Sequence, residues 1–260
     1  LEADVVAMNV APDGSNINAG CGATSPQGLQ QAVRDHQADL GIALDGDADR
    51  VILVDEQGAV VDGDQLMAVL ADDWRLRGTL AHKTLVATVM SNLGLERFLN
   101  ARGVALERTP VGDRYVVERM RAGGFNLGGE QSGHIVMTDY GTTGDGMHAA
   151  LQALAILRHR GESASRVFRA FVPVPQVLKS VRHDGAHGSP MDRADVRAAI
   201  ASAEAALSGT GRVLVRASGT EPVIRVMAEG DDSALVTRVV EEICSMIRSS
   251  DDPIICHIPI

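Results

Sequence analysis

Cysteine is scarce in this chain of 260 residues: Cys21, Cys244 and Cys256 are its only three. They are too few and too scattered for a disulfide framework or a thiolate zinc site, so a reducing cytoplasm is expected. No signal peptide or membrane span appears in the sequence. Positive charge is also short, with 24 Lys and Arg against 34 Asp and Glu for a formal charge of -10. That balance disfavours nonspecific binding to nucleic acid or anionic membranes, and any anionic partner must be held by local clusters. Neither a Walker loop nor a dinucleotide fingerprint is present, which leaves nucleotide binding without a motif. His36, His82, His148, His159, His183, His187 and His257 show no metal-ligand spacing, and no solenoid repeat or low-complexity tract occurs.

What the chain does have is apolar residues, 45% of the total, enough for one large core or two to three small ones. The first segment sets the apolar run Val5 to Val10 beside a Gly/Asn-rich loop, Asp13 to Gly22, and a stretch of helical spacing, Pro26 to Gln37. Two apolar runs, Leu40 to Leu44 and Val51 to Asp55, then flank an acidic loop, and Gln57-Gly58 turns back into Ala59 to Val61 as a hairpin. Asp62 or Asp64 can cap a helix to Arg77. Beyond a boundary expected near Val60, strand and helix alternate. The pattern predicts strands at 84–90, 104–108 and 135–137 and helices at 93–102, 113–121 and 146–160, an α/β layered domain over 61–172. A short helix, Ser163 to Phe171, precedes Pro173 and Pro175, which look like a hinge. From 173 to 250 the order becomes strand, helix, strand, strand, helix, a small α+β domain. Residues 251–260 read as an atypical tail without function. The opening Leu1-Glu-Ala-Asp has no initiator Met, and the chain is expected to enter partway through a fold.

Three stretches carry chemistry. Asp45, Asp47 and Asp49 alternate in the loop DGDADR, followed at once by Arg50. Three carboxylates at the end of a buried strand would repel strongly unless a small divalent cation sat among them, which points to magnesium. A calcium hand is a poor match, because Arg50 stands where the sharp glycine turn belongs and strands flank the loop; a plain acidic turn is the bland alternative. In Arg216-Ala-Ser218-Gly219-Thr220-Glu221-Pro222, with Arg225 following, Gly and hydroxyl residues can aim donors at a phosphate while arginines supply paired bonds. The competing reading is a polar hairpin with exposed arginines. Glu130, Ser132 and His134 alternate along a Gly-rich loop and, if extended, would project to one side, suiting the vicinal hydroxyls of a sugar. His134 is either an acid or base, or a residue that orients the loop. Asp113 and Arg114 offer a further phosphate or sugar contact, or else a helix cap and an exposed cation. Gly144-Asp145-Gly146 reads as a helix start, and Trp74 as a core residue.

In order, Asp13 to Asn18 (DGSNIN), DGDADR, VMSNLG (Val89 to Gly94), TPVGDRYV (Thr109 to Val116), GGEQSGH (Gly128 to His134), TTGDG (Thr142 to Gly146) and RASGTEPVIRVM (Arg216 to Met227) resemble the α-D-phosphohexomutase superfamily. The resemblance spans nearly the whole chain. It implies mixed-sheet α/β layers, with the end of domain 2 over 1–60 and domain 3 over 61–172, plus a fourth domain of TATA-box-binding-protein-like fold over 173–250. It also implies a phosphoserine relay through a 1,6-bisphosphate intermediate. Asp45, Asp47 and Asp49 would bind Mg²⁺, and Arg50 would assist at the transferring phosphate. Glu130 and Ser132 would hold sugar hydroxyls, with His134 a candidate acid or base. Arg216, Ser218, Gly219, Thr220 and Arg225 would grip the phosphate that is not reacting. Gln131 looks like the glucosamine-phosphate branch, which feeds UDP-N-acetylglucosamine and cell-wall precursors; mannose- or glucose-phosphate mutases and a noncatalytic sugar-phosphate-binding remnant are the alternatives. A homodimer of the intact enzyme stays open. Two departures matter. Ala48 replaces a commoner Gly, tolerable if its backbone avoids positive φ. The family's serine loop, which reads like SASHNP, does not occur in the sequence, so these residues alone are expected to be inactive and to hold metal weakly.

Overall fold

The structure, a computed structural model, describes residues 3–183, 189–218 and 221–248. Two compact units emerge. One runs to Ser91 and resumes over Leu95–Val172; the other holds Asn92–Gly94 and the chain from Pro173 onward.

In the first unit α1 (Gln27–His36) leads into an antiparallel sheet ordered β1-β2-β3, made of β1 (Leu40–Leu44), β2 (Val51–Asp55) and β3 (Val60–Val61). Leu44 pairs with Val51, so residues 45–50 must reverse the chain in one tight loop, which bunches the three aspartates. α2 (Gly63–Arg77) starts where the Asp62 carboxylate accepts the Gln65 amide at 3.0 Å and ends at Gly78, whose φ of 72° suits glycine. The second sheet follows from β4 (Thr84–Thr88), α3 (Leu93–Asn100), β5 (Ala105–Thr109), α4 (Asp113–Gly123), β6 (Leu127–Gly129) and β7 (Ile135–Met137), in the order β5-β4-β6-β7. β4 runs parallel to β5 and β6 and is buried throughout, as a central strand covered on both faces must be. β6 and β7 form an antiparallel hairpin whose tip is the 130–134 loop. α5 (Gly146–Arg160), capped by Asp145, and α6 (Ala164–Phe168) complete the unit. Its core gathers Leu53, Met67, Leu85, Leu127, Ile135, Phe168 and Trp74, which is 2% exposed.

The second unit lays β8 (Gln176–Arg182), α7 (Ala194–Ala206), β9 (Gly211–Ala217), β10 (Val223–Gly230) and α8 (Ser233–Ile247) into an antiparallel sheet ordered β8-β10-β9 with two helices. Val196, Ile224, Val226, Val240 and Ile243 fill its core. Val174, between the two prolines, is clasped by Asn92, whose side-chain amide donates to its carbonyl at 3.0 Å and accepts its N–H at 3.0 Å.

The apolar run Val5 to Val10 forms no strand, and Val5 and Val10 are exposed; an apolar run becomes a strand only where a neighbour pairs its backbone. Val60, near which a boundary is expected, lies in β3, in register with β2 through Val54. Two helix bounds shift. The sequence pattern predicts a helix from Met191 to Leu207, but α7 starts only at Ala194, because Pro190–Asp192 form a separate 3₁₀ turn capped by Ser189 and Arg193 is extended. α6 is shorter than 163–171. Gly219, Thr220 and the 251–260 tail lie outside the described residues. Among those described, no helix is long and apolar enough to cross a membrane.

Candidate active site

The acidic loop is organised by its own backbone. Ala48 donates its N–H to the Asp45 carbonyl at 3.1 Å, and Arg50 donates its N–H to Asp45 Oδ1 at 3.1 Å. Asp45, Asp47 and Asp49 each offer a carboxylate oxygen, and these oxygens lie within 4.8 Å of one another. Asp49 Oδ1 is buried without a hydrogen-bond partner, whereas Oδ2 meets His134 Nδ1 at 3.0 Å. A set of hard oxygen donors with a buried, unused lone pair fits Mg²⁺. Arg50 approaches both Asp45 and Asp49 only to 3.8 Å from its Nε, too far for a hydrogen bond, and its side chain is 42% exposed. Its outer nitrogens therefore face solvent beside the carboxylates.

Ala48 has φ +59°, so the condition under which it would replace glycine without strain is not met. A left-handed alanine brings Cβ against the following carbonyl at a cost of about 1 kcal/mol. The conformation is held from outside: the Ala48 carbonyl accepts the N–H of Gly146, the first residue of α5, at 2.9 Å. A Cβ on Gly146 would sit 2.5 Å from the Arg50 carbonyl oxygen, so only glycine lets α5 start this close.

The 130–134 loop is a turn, not an extended run. Gly133 donates its N–H to the Glu130 carbonyl at 3.0 Å, and Glu130 donates its own to the His134 carbonyl at 2.9 Å. His134 consequently parts from Glu130 and Ser132, which corrects the expectation that all three share a side. Ser132 is exposed and donates to Glu130 Oε2 at 3.3 Å, while Glu130 Oε1 accepts the Gly112 N–H at 3.0 Å. His134 turns inward, 3% exposed, and its Nε2 is buried without a hydrogen bond. Its ring occupies the space a Cβ on Gly144 would need. The loop is anchored by Val51 N–H to the Gly133 carbonyl at 3.0 Å and Gly63 N–H to the Gln131 carbonyl at 2.9 Å. Asp62, capping α2 beside this loop, has its carboxyl pushed above the ordinary range by burial. Asp113 is the first helical residue of α4 and not its cap, which is Gly112 with φ 131°. Arg114 is exposed and spends its guanidinium on Glu118 at 2.7 Å.

In the second unit Arg216 and Arg225 are paired residues of β9 and β10. Burial, and then the like charge of Arg225, lower the Arg216 guanidinium below its ordinary value. Both Nε atoms are buried without hydrogen bonds, although Arg225 reaches Glu221 at 3.4 Å. Ser218 continues the hairpin through its N–H to the Val223 carbonyl at 2.9 Å. Two arginines held side by side bring like charges together, which an anion between them would neutralise.

Residues 1–58, 62–174 and 178–246 match the alpha/beta/alpha domain II, the alpha/beta/alpha domain III and the C-terminal domain of phosphoglucomutase/phosphomannomutase. The chain belongs to this family. Among its relatives are the phosphoglucosamine mutases of Bradyrhizobium diazoefficiens, 60% identical over 95% of the chain and 55% of the relative, and of Paracoccus denitrificans, 59% identical over 96% and 56%. The chain thus spans about half the length of the curated relatives it matches. The fold is shared with Aspergillus fumigatus N-acetylphosphoglucosamine mutase, solved in complex with GlcNAc-6P and magnesium (TM-score 0.70, 22% identity, 89% of this chain and 57% of that one). A Burkholderia thailandensis phosphoglucomutase/phosphomannomutase family protein has TM-score 0.70 at 22% identity, over 86% and 50%. For a phosphohexomutase chain, the residues that motif reading missed are those acting through backbone: Gly112 donating to Glu130, Gly63 clamping the loop, Gly144 making room for His134. Their only signal in the sequence is a glycine close to a candidate site motif.

Proposed function

We propose that the chain supplies the metal, sugar and distal-phosphate sites of a phosphoglucosamine mutase that interconverts glucosamine 6-phosphate and glucosamine 1-phosphate by a phosphoserine relay. The observation that carries this reading is the closure of Asp45, Asp47 and Asp49 to within 4.8 Å, with a buried oxygen of Asp49 left unbonded. Those three residues would hold Mg²⁺, which when bound neutralises charge on a transferring phosphoryl group. Arg50, its outer nitrogens in solvent, donates to that phosphoryl group. Glu130 and Ser132, already hydrogen-bonded to each other, take vicinal hydroxyls of the sugar. Asp113 and Arg114, on the first turn of α4 after Gly112, add contacts to the same ligand. Arg216, Arg225 and Ser218, with Gly219 and Thr220, grip the phosphate that is not reacting. His134 has its Nδ1 committed to Asp49 and its ring buried, which favours a positioning role over that of acid or base. The glucosamine assignment draws on Gln131 and on the names of the relatives.

The test joins this chain behind the N-terminal part of the Bradyrhizobium relative. The chimera is expected to interconvert the two glucosamine phosphates. Asp47→Asn should cut kcat by at least about a hundredfold, and His134→Asn, which keeps a donor near the Nδ1 position, should retain more activity than His134→Ala. Preferential turnover of mannose 1-phosphate would overturn the sugar assignment. A folded chimera that binds but turns over neither sugar would favour the noncatalytic reading.

A further inference from the structure

Away from the acidic and sugar loops, α2, the end of α3, the end of α5, and α6 with the residues just after it line a cavity of about 170 Å³ in the first unit. Its lining holds Arg102, Arg160, Arg166 and Arg169 but a single carboxylate, Asp72. In a chain whose formal charge is -10, this is a local reversal of sign.

The partners of these groups show which charges are unspent. Asp72 is already neutralised by Arg75, which is not in the lining and donates to Oδ1 from Nε at 3.0 Å and from Nη2 at 2.7 Å. Arg169 is bound to the buried Asp55, at 3.0 Å from Nε and 2.6 Å from Nη2, and Arg166 lies 3.4 Å from Glu162. Two arginines remain. Arg102 stands 3.4 Å from Asp72 Oδ1, stacks over the Phe98 ring with its guanidinium carbon 3.6 Å from the centroid, and donates to the Phe98 carbonyl at 3.2 Å. Arg160 reaches Asp72 Oδ2 only at 4.0 Å, beyond hydrogen-bond length. A basic residue at a helix C-terminus is ordinary, since it faces the negative end of the dipole. That accounts for one cation at each helix end. It does not account for two guanidinium groups sharing a carboxylate that a third already satisfies, in a concavity where like charges are partly shielded from water.

We propose that this cavity is a binding site for a small tetrahedral oxyanion, a phosphoryl group either free or carried on a sugar, held by the surplus guanidinium groups of Arg102 and Arg160 with Arg166 at the rim. The volume accommodates about six waters, which is room for one such anion and some of its hydration. A phosphoryl group matches the forked N–H donors of arginine, and its double charge answers the two unspent cations. Bound there, it would bridge the end of α3 to the end of α5. The site uses none of the residues assigned to the mutase reaction and does not depend on that assignment.

The test is a titration of the ¹⁵N-labelled 260-residue chain, following the arginine Nε–H signals of Arg102 and Arg160. Inorganic phosphate and glucosamine 6-phosphate are the two arms, with chloride at matched ionic strength as control. Arg216→Gln with Arg225→Gln silences the phosphate cradle of the second unit. Saturable shifts at Arg102 and Arg160 are expected in at least one arm and not with chloride; the arm that saturates names the source. Arg160→Gln should weaken the midpoint about tenfold, the loss of a charge-assisted contact. Arg160→Lys, which keeps the charge but not the fork, should fall between. Equal shifts with chloride would reduce the cavity to charge screening and overturn the site. So would an unchanged midpoint in Arg160→Gln with native melting. If Arg160→Gln fails to fold, Arg160→Lys decides, and a wild-type midpoint there overturns the forked contact.

Discussion

At Ala48 the structure sets a residue against its own backbone. A positive φ in the loop that presents three carboxylates costs about 1 kcal/mol for alanine and little for glycine. Neighbouring bonds impose the conformation: Ala48 N–H to Asp45 and Gly146 N–H to the Ala48 carbonyl. Ala48→Gly should therefore stabilise the chain by up to about 0.5 kcal/mol, the αL strain relieved less the extra freedom glycine has when unfolded. Thermal melting should rise by about 1–2 °C. A lower melting temperature would show that the loop relaxes elsewhere and that alanine is not strained. The acidic loop was legible in the sequence because its carboxylates are contiguous, Asp45 to Arg50. The φ of Ala48 was not, since it depends on α5 docking at Gly146, nearly a hundred residues later. The inward turn of His134 was hidden for the same reason: its partner Asp49 is 85 residues away.

Among elements, the β2–β3 hairpin and α6 are joined by charges that no motif announces. Glu56 accepts the Ser165 N–H at 2.9 Å on Oε2 and the Ser165 hydroxyl on Oε1, and Asp55, fully buried at the end of β2, is held by Arg169. Alternation of strand and helix predicted that such elements exist, because apolar spacing is a local signal. It could not show that Ser165 and Arg169 are what fasten α6 to the hairpin. The Glu56 carboxyl feels burial most, which raises it, but the hydroxyl and amide of Ser165 together bring it below its ordinary 4.5. For a carboxylate lowered on folding, the stabilisation is complete above the unfolded value and is lost as pH falls through the folded one. Ser165→Ala should thus cost about 1 kcal/mol at pH 7, at the modest end because Glu56 keeps much of its hydration. The difference from the parent chain should shrink as the pH drops below about 4.5. Melting curves of both proteins across that range test it. A gap that stays constant with pH would mean that Ser165 acts by packing and not through the carboxylate.

For the whole molecule, composition stated the sign of the charge and the structure shows where the exceptions lie. The acidic excess of 34 over 24 belongs to the surface at large, while arginines concentrate in particular places, at Arg216 and Arg225 on one sheet and around the Asp72 cavity. The paired arginines were readable from one hairpin motif. The cavity was not, because its lining comes from four separated segments and no spacing rule connects position 72 with 102, 160 and 166. The same distribution controls how copies of the chain meet. At neutral pH a charge of -10 keeps them apart over roughly a Debye length of about 8 Å at physiological salt. With a pI near 5.2 that repulsion vanishes on mild acidification, and the basic cavities can then face acidic surface on a neighbour without a net penalty. Light scattering should therefore peak, and solubility reach its minimum, close to pH 5.2, with recovery by pH 7. Added salt should lower the scattering at pH 5.2 if attraction between opposite patches drives it, since screening weakens such contacts. Scattering that stays flat between pH 5 and pH 8 would show that apolar surface, and not charge, governs association of this chain.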